Sequence, residues 1–237
     1  MRRRAGLHYL EVVESTQTLV KRVLDTGAPV PVVAVTEAQT AGRGRLDRAW
    51  SAPPRSSVLV SVGVDAVGQG SAFTLMVGVV VAQALEEHDV HVALKWPNDI
   101  VVVRDERIRK LGGILTERHG DRLVVGIGLN IDLADDELPT DDAISCRQLG
   151  VRVERERLID DIIDGIAGLP AGATIERYRS LSATLGGQVL VSRIAAAPLE
   201  GVAAGIASDG ALIIVDADGV EHLVTVGDVQ HLRPSAG

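Results

Sequence analysis

The run Val92-Ala93-Leu94-Lys95-Trp96-Pro97-Asn98-Asp99-Ile100-Val101-Val102-Val103 sets two apolar, largely β-branched segments on either side of a Trp-Pro-Asn-Asp turn. Leu111–Glu117 and Leu123–Leu129 follow in the same style, each bounded by Pro, Asp or Gly. Short apolar runs between turn residues predict strands, here four in succession: Val92–Lys95, Ile100–Val103, Leu111–Glu117 and Leu123–Leu129.

On the amino-terminal side, Leu7–Val13 reads as a strand, and Ser15 as the cap of a helix running through Leu19, Val23 and Leu24 to Gly27. Val32–Thr36 is a short strand. It leads into Glu37–Ser57, a stretch rich in Arg, Gly, Ser and Pro, of a length that in a compact protein usually carries function or is disordered. Val58–Val64 is another strand, and Ser71 opens a helix whose apolar character through Leu85 implies burial on most sides. On the carboxyl-terminal side, the acidic run Asp132–Asp142 reads as a solvated loop. Glu154–Ala167 is a helix with Leu158, Ile159, Ile162, Ile163 and Ile166 at spacings of three and four, and Thr174–Ser182 is a shorter one. Gly186-Gly187 then marks a boundary, dividing the chain into domains 1–185 and 186–237. Beyond it, Gln188–Arg193, Gly201–Ser208, Ala211–Asp216 and Glu221–Val226 predict a small all-β barrel, with Asp209-Gly210 and Asp218-Gly219 as hairpin turns.

Composition narrows the class. A hydrophobic fraction of 46% with 24% charged residues is that of a globular chain and excludes a disordered or fibrous one. With aromatics at 2%, the core must come from Val, Ile, Leu and Ala. A net charge of −8 argues against a protein built to neutralise a nucleic-acid backbone. The longest apolar stretch, Leu75–Leu85, falls well short of the ~20 residues of a membrane span. Met1-Arg2-Arg3-Arg4 has the charge of a signal-peptide start, but His8, Glu11 and Glu14 interrupt what would be its apolar region. Cys146 is the sole cysteine, which suggests a reducing compartment, and a cytoplasmic location is expected. Among 24 basic residues only Lys21, Lys95 and Lys110 are lysines, and Asn98 and Asn130 are the only asparagines. Lysine kept against so strong an arginine bias hints at positions where a planar guanidinium would not serve.

Four clusters could carry chemistry. Gly42-Arg43-Gly44-Arg45, followed by Arg48 and Trp50, combines a deformable backbone, forked donors suited to phosphate or carboxylate, and a flat surface for a base; a mobile surface loop has the same composition. Lys95-Trp96-Pro97-Asn98-Asp99 packs a cation, an amide and a carboxylate into one turn, and is equally an ordinary turn. Arg109-Lys110-Leu111-Gly112-Gly113 puts a lysine at the mouth of a strand whose glycines permit close approach of a ligand, as a bulged edge strand would. Gly126-Ile127-Gly128-Leu129-Asn130 is a strand open either to a ligand or to tight packing. The six histidines show no ligand spacing and read as solvated or structural.

Taken in order with Glu14-Ser15-Thr16-Gln17, these clusters resemble the motifs of the biotin protein ligases, also called biotin–[acetyl-CoA-carboxylase] ligases, over almost the whole chain. The resemblance implies an α+β fold: a mixed-sheet catalytic domain of the biotin/lipoate ligase type, then a small SH3-like β-barrel. It implies a reaction in which biotin and MgATP give biotinyl-5′-AMP, whose biotinyl group passes to a lysine of the biotin carboxyl carrier domain of acyl-CoA or pyruvate carboxylases. Lys110, Arg45 and Asp99 would be catalytic. Ser15, Thr16, Gln39, Gly42, Arg43, Arg45, Lys110 and Gly113 would bind biotin; Arg43, Arg45, Arg48, Trp50, Asn98, Lys110 and Asn130 would bind ATP. No metal is held by the chain itself, magnesium entering with ATP. Gln17 departs from the family, which usually has Asn there. Bifunctional members carry an amino-terminal DNA-binding domain ahead of Ser15-Thr16, so a monofunctional enzyme is expected, without nucleic-acid or membrane partner and monomeric or weakly dimeric. Lipoate-protein ligases share the fold and an adenylate intermediate, but the Gly-Arg-Gly-Arg loop and the terminal barrel favour biotin. A repressor and a catalytically inert biotin-binding module are the other readings. The acidic charge disfavours the first, and the joint presence of Lys110, Arg45 and Asp99 the second.

Overall fold

A computed structural model describes residues 2, 4–66, 72–105, 107–169, 175–193 and 196–232. A 7-stranded sheet in the order β1-β2-β3-β7-β6-β5-β4 is formed by β1 (Leu7–Val13), β2 (Val32–Gln39), β3 (Ser57–Asp65), β4 (Ala93–Lys95), β5 (Asp99–Arg104), β6 (Arg107–His119) and β7 (Arg122–Asn130). Only β1 and β2 run parallel; the other neighbours are antiparallel, which makes the sheet mixed.

Side-chain alternation divides the two faces of this sheet. Val33, Val35, Val58, Val60, Val62, Val125 and Ile127 enter the main core, which α2 (Phe73–Glu86) and α3 (Arg155–Ala167) cover. Helix α2 is buried nearly all round, as its unbroken apolar run demands; it begins at Phe73, and Ser71 lies outside the described residues. Val32, Ala34 and Val124 point the other way and pack with Val20, Leu19, Val23 and Leu24 of α1 (Thr16–Asp25). Helix α1 covers only part of that second face. Ser61, Gly113, Gly126 and Gly128 share the remainder, and residues so small leave a hollow there instead of a core.

The short helix α4 (Glu176–Leu181) leads to a 5-stranded antiparallel sheet in the order β11-β10-β9-β8-β12, built from β8 (Gln188–Ser192), β9 (Leu199–Ile206), β10 (Leu212–Val215), β11 (Glu221–Val224) and β12 (Asp228–His231). Both hairpin turns are as expected, with Gly210 at φ +91 and Gly219 at φ +79. Strand β12 is additional to the expected four, being too short to carry an alternation pattern. The sheet is also open: no pairing joins β11 to β12 among the described residues, so the expected barrel is not closed. Near the amino terminus, Arg2 and Arg4 pair with Asp164, and Arg4 also pairs with Asp160 at 3.0 Å, so two members of the basic run clasp α3.

Candidate active site

Helix α1 begins over the hollow. Ser15 occupies its N-cap position, but its hydroxyl caps nothing; instead the Gln39 Oε1 atom at the end of β2 accepts from the Thr16 N–H at 2.8 Å and from Thr16 Oγ1 at 3.1 Å. The Thr16 and Ser61 hydroxyls are 2.7 Å apart. One wall is thus a connected set of hydroxyls and amides, from which the buried Ser15 hydroxyl is left over.

From Gln39 the chain forms a tight hairpin. Arg43 bridges Ala49, Gly44 N–H donates to the Arg48 carbonyl at 2.7 Å, and Trp50 N–H to that of Gly42 at 2.9 Å. A Cβ at Gly42 would stand 2.2 Å from the Trp50 carbonyl oxygen, so only glycine closes this turn. Arg43 donates to Glu117 at 2.5 Å, which also holds Lys21, and to Gln17 Oε1 at 3.2 Å. Gln17 is buried, and its amide donates to the Leu115 carbonyl at 2.5 Å. This residue of α1 therefore ties the hairpin to the sheet. Arg45 donates to Asn98 Oδ1 at 3.0 Å and to the Gly227 carbonyl at 3.2 Å, and Arg48 is ion-paired with Asp228. Burial holds the Arg45 guanidinium below its ordinary value, with Asp228 and Asp99 opposing the shift. The Trp50 ring lies against β6 and β7: a Cβ at Gly128 would come within 2.4 Å of it, and at Gly113 within 3.6 Å. Trp50 Nε1 is buried beside Gly128 without a hydrogen-bond partner.

Lys110 and Asp99 face one another because of a β-bulge. Asp99 pairs with Gly113 and Ile100 with Gly112, but Val101 pairs with Lys110, which leaves Leu111 as the extra residue of β6. In a regular strand, residues 110 and 113 would point to opposite faces; the bulge turns Lys110 to the Gly113 side, where its Nζ is 2.6 Å from Asp99 Oδ1. A Cβ at Gly113 would stand 3.3 Å from that ammonium. Both backbone groups of Lys110 are engaged by the segment after β7: its N–H donates to the Asp142 carbonyl at 2.6 Å, and its carbonyl accepts from Ile144 at 2.9 Å. Asn98 donates to the Ile114 carbonyl at 2.9 Å, and the buried Asn130 to that of Ile144 at 3.2 Å, so each holds backbone in place.

Every candidate residue except Gly42 lines one cleft of about 770 Å³, whose walls hold hydroxyls and amides at the α1 end and cations at Lys110, Arg45 and Arg48. Sequence reasoning missed the wall made by β12, where Asp228 and His231 line the same space. Burial and then the charge of Lys95 hold the His231 imidazole below its ordinary value, and its Nε2 is 3.0 Å from the Ala183 carbonyl oxygen. Among the described residues no three His, Cys, Asp or Glu side chains are placed to hold a metal ion.

The model of the Biotin/lipoate A/B protein ligase family matches residues 9–133, and that of the Biotin protein ligase C terminal domain matches residues 184–232. The biotin–[acetyl-CoA-carboxylase] ligase of Mycobacterium tuberculosis is 33% identical over 250 residues, which span 97% of this chain and 91% of that protein. The chain belongs to the biotin protein ligase family. It is accordingly a ligase of biotin that binds ATP. The bifunctional ligase/repressor BirA of Escherichia coli is 31% identical over 162 residues, and the match spans 63% of this chain and 48% of that one. Among solved structures, biotin protein ligase from Aquifex aeolicus in complex with biotin and ATP superposes with a TM-score of 0.80 at 24% identity, over 98% of this chain and all of that one, a likeness of fold. The Leishmania major biotin protein ligase in complex with biotinyl-5-AMP gives a TM-score of 0.68 at 26% identity, over 98% of this chain. No described helix is long and apolar enough to cross a membrane.

Proposed function

We propose that this ligase forms biotinyl-5′-AMP from biotin and MgATP and transfers the biotinyl group to a lysine of the biotin carboxyl carrier domain of a biotin-dependent carboxylase. The observation that carries the reading is the single cleft in which neutral hydrogen-bonding groups, Ser15, Thr16 and Gln39, face a set of cations, Lys110, Arg45 and Arg48. A polar bicyclic ring with a carboxylate tail suits the first part, and the tail meeting a triphosphate suits the second. In the first step a biotin carboxylate oxygen attacks the α-phosphorus, the bond to the bridging oxygen breaks, and pyrophosphate leaves. Two anions must be brought together, so positioning and charge stabilisation supply most of the catalysis. Lys110 is the group for both anions. Arg43, Arg45 and Arg48 hold the adenylate beneath the hairpin, Trp50 and Asn130 flank the nucleotide, and Gly113 lets the biotin chain approach β6.

In this reading Lys110 and Asp99 work in turn. While they are paired, each neutralises the other. An arriving anion competes for Lys110 and frees Asp99, which then takes a proton from the incoming lysine ammonium, so that the amine attacks the biotinyl carbonyl and AMP leaves. Asp99 and Asp228 are each held by a cation, and in this reading magnesium enters on the triphosphate. The work divides near Gly186-Gly187, between a catalytic domain (1–185) and a terminal domain (186–237). The test is ATP-dependent incorporation of labelled biotin into a carrier domain with lipoate as competitor: biotin should be incorporated and unlabelled lipoate should not compete. Preferential lipoate incorporation would overturn the assignment.

A further inference from the structure

The outer edge of β12, which no strand covers among the described residues, has a defined hydrogen-bonding register. β12 pairs antiparallel with β8, His231 opposite Val189 and Val229 opposite Val191. Just past this pairing, Leu232 N–H donates to the Gln188 carbonyl at 2.9 Å, which makes 232 and 188 a hydrogen-bonded pair. Hydrogen-bonded and non-hydrogen-bonded pairs alternate along an antiparallel ladder. Residues 231, 229 and 227 consequently direct their backbone N–H and C=O groups away from β8. The Gly227 carbonyl agrees with this parity, since it points outward to receive Arg45. Among the described residues nothing pairs with the outward groups of Val229 and His231, and both residues line the cleft that holds Lys110 and Asp99.

One cation at this edge is uncommitted: Lys95, which lines the cleft and has no ion pair among the described residues, stands close to His231. At the Gly227 end Arg45 and Arg48 are already held by Asn98, the Gly227 carbonyl and Asp228. We propose that β12 is the docking edge for the protein acceptor: an extended, lysine-bearing segment with acidic neighbours adds to it as a further strand, hydrogen-bonding Val229 and His231 and directing its lysine into the cleft. Strand addition takes affinity from main-chain hydrogen bonds and direction from alternate side chains, as a reaction at one lysine requires. The occupant is the acceptor of the ligase reading, and the proposal rests on that reading.

The pair His231→Pro and His231→Ala isolates the backbone donor. Both lose the imidazole, but only proline removes the outward N–H, and it spares the β12–β8 ladder because that N–H takes no part in it. With a biotin carboxyl carrier domain as acceptor, kcat/KM for transfer should fall roughly tenfold further in the proline variant than in the alanine variant, the size of one lost hydrogen bond. Biotin-dependent pyrophosphate exchange should be the same in both. On the wild-type enzyme, amide hydrogen exchange at Val229 and His231 should slow when the carrier domain is added and should not slow with biotin and ATP alone. Equal transfer by the two variants together with unprotected amides would overturn the proposal; should the proline variant misfold, the wild-type amides decide it alone. Absence of pyrophosphate exchange in the wild type would instead strike at the ligase reading.

Discussion

At the level of single residues, chemistry depends on who holds whom. Lys110 has an ion pair with Asp99 and backbone anchors on both sides, so its stem starts from a fixed point while its ammonium can exchange one anion for another. Lys110→Ala should lower biotin-dependent pyrophosphate exchange by roughly a hundredfold or more, the scale of losing a preorganised charge-stabilising donor. Lys95 pairs across the β4–β5 hairpin with Asp99 but makes no ion pair among the described residues, and Lys95→Ala should change exchange much less. Near-normal exchange in Lys110→Ala would remove it from the first step. The retention of lysine here in an arginine-rich chain also acquires a reason: a single ammonium on a flexible stem can shuttle between a carboxylate and a phosphate, whereas a guanidinium is committed to a plane.

Elements supply the surfaces on which such residues act. The β6–β7 pairing brings Gly113 opposite Gly128, and Trp50 rests on the bare backbone there. Gly128→Ala would push a methyl into the indole and displace it. Since Trp96 is deeply buried elsewhere, tryptophan emission should shift to the red and ligand affinity should drop; an unchanged spectrum with unchanged affinity would mean that the ring does not need this platform. Helix α3 is held partly by Arg4, whose hydrogen bond to Asp164 keeps that carboxyl below its ordinary value. A depressed carboxyl contributes stability above its unfolded value, about 3.9, and loses it as pH falls through the lower folded value. Arg4→Ala should therefore cost about 1 kcal/mol at neutral pH, discounted because Asp164 is half exposed, and the gap from wild type should narrow below about pH 4. Urea midpoints at the two pH values would show it; a gap that widens in acid would contradict the pairing.

Across the whole molecule, the arginine hairpin is one of the places where the two sheets meet, another being the hydrogen bond that Trp96 Nε1 donates to the Gly210 carbonyl. Arg45 joins the Asn98 turn of the first sheet to the Gly227 carbonyl of the second, and Arg48 reaches Asp228. In the proposed reaction biotinyl-AMP, a mixed anhydride, would have to be kept from water until an amine arrives, a task for a closed site. Arg45→Gly removes both contacts and loosens the hairpin while leaving Lys110 in place. It should retain adenylation yet release biotinyl-AMP faster and label bystander proteins. A dissociation rate equal to wild type would deny Arg45 a part in retention.

Local pattern determined much of this protein. Apolar runs between turn residues specify the strands, the three-and-four spacing of Leu158 to Ile166 specifies α3, and Asp-Gly pairs specify the terminal hairpins, because each depends only on residues a few positions apart. The four residue clusters were visible for the same reason, but each was open to a bland reading by itself, and their roles were expectations drawn from the family resemblance. Tertiary structure alone decided what required distant segments to meet. The bulge at Leu111 that turns Lys110 toward Asp99 exists only in the pairing of β5 with β6. Likewise Gln39, not Ser15, satisfies the first turn of α1, because β2 ends beside that helix start. The β12 wall was illegible because four residues without alternation carry no periodic signal, and because an unpaired strand edge is a property of the assembled sheet and not of any residue in it.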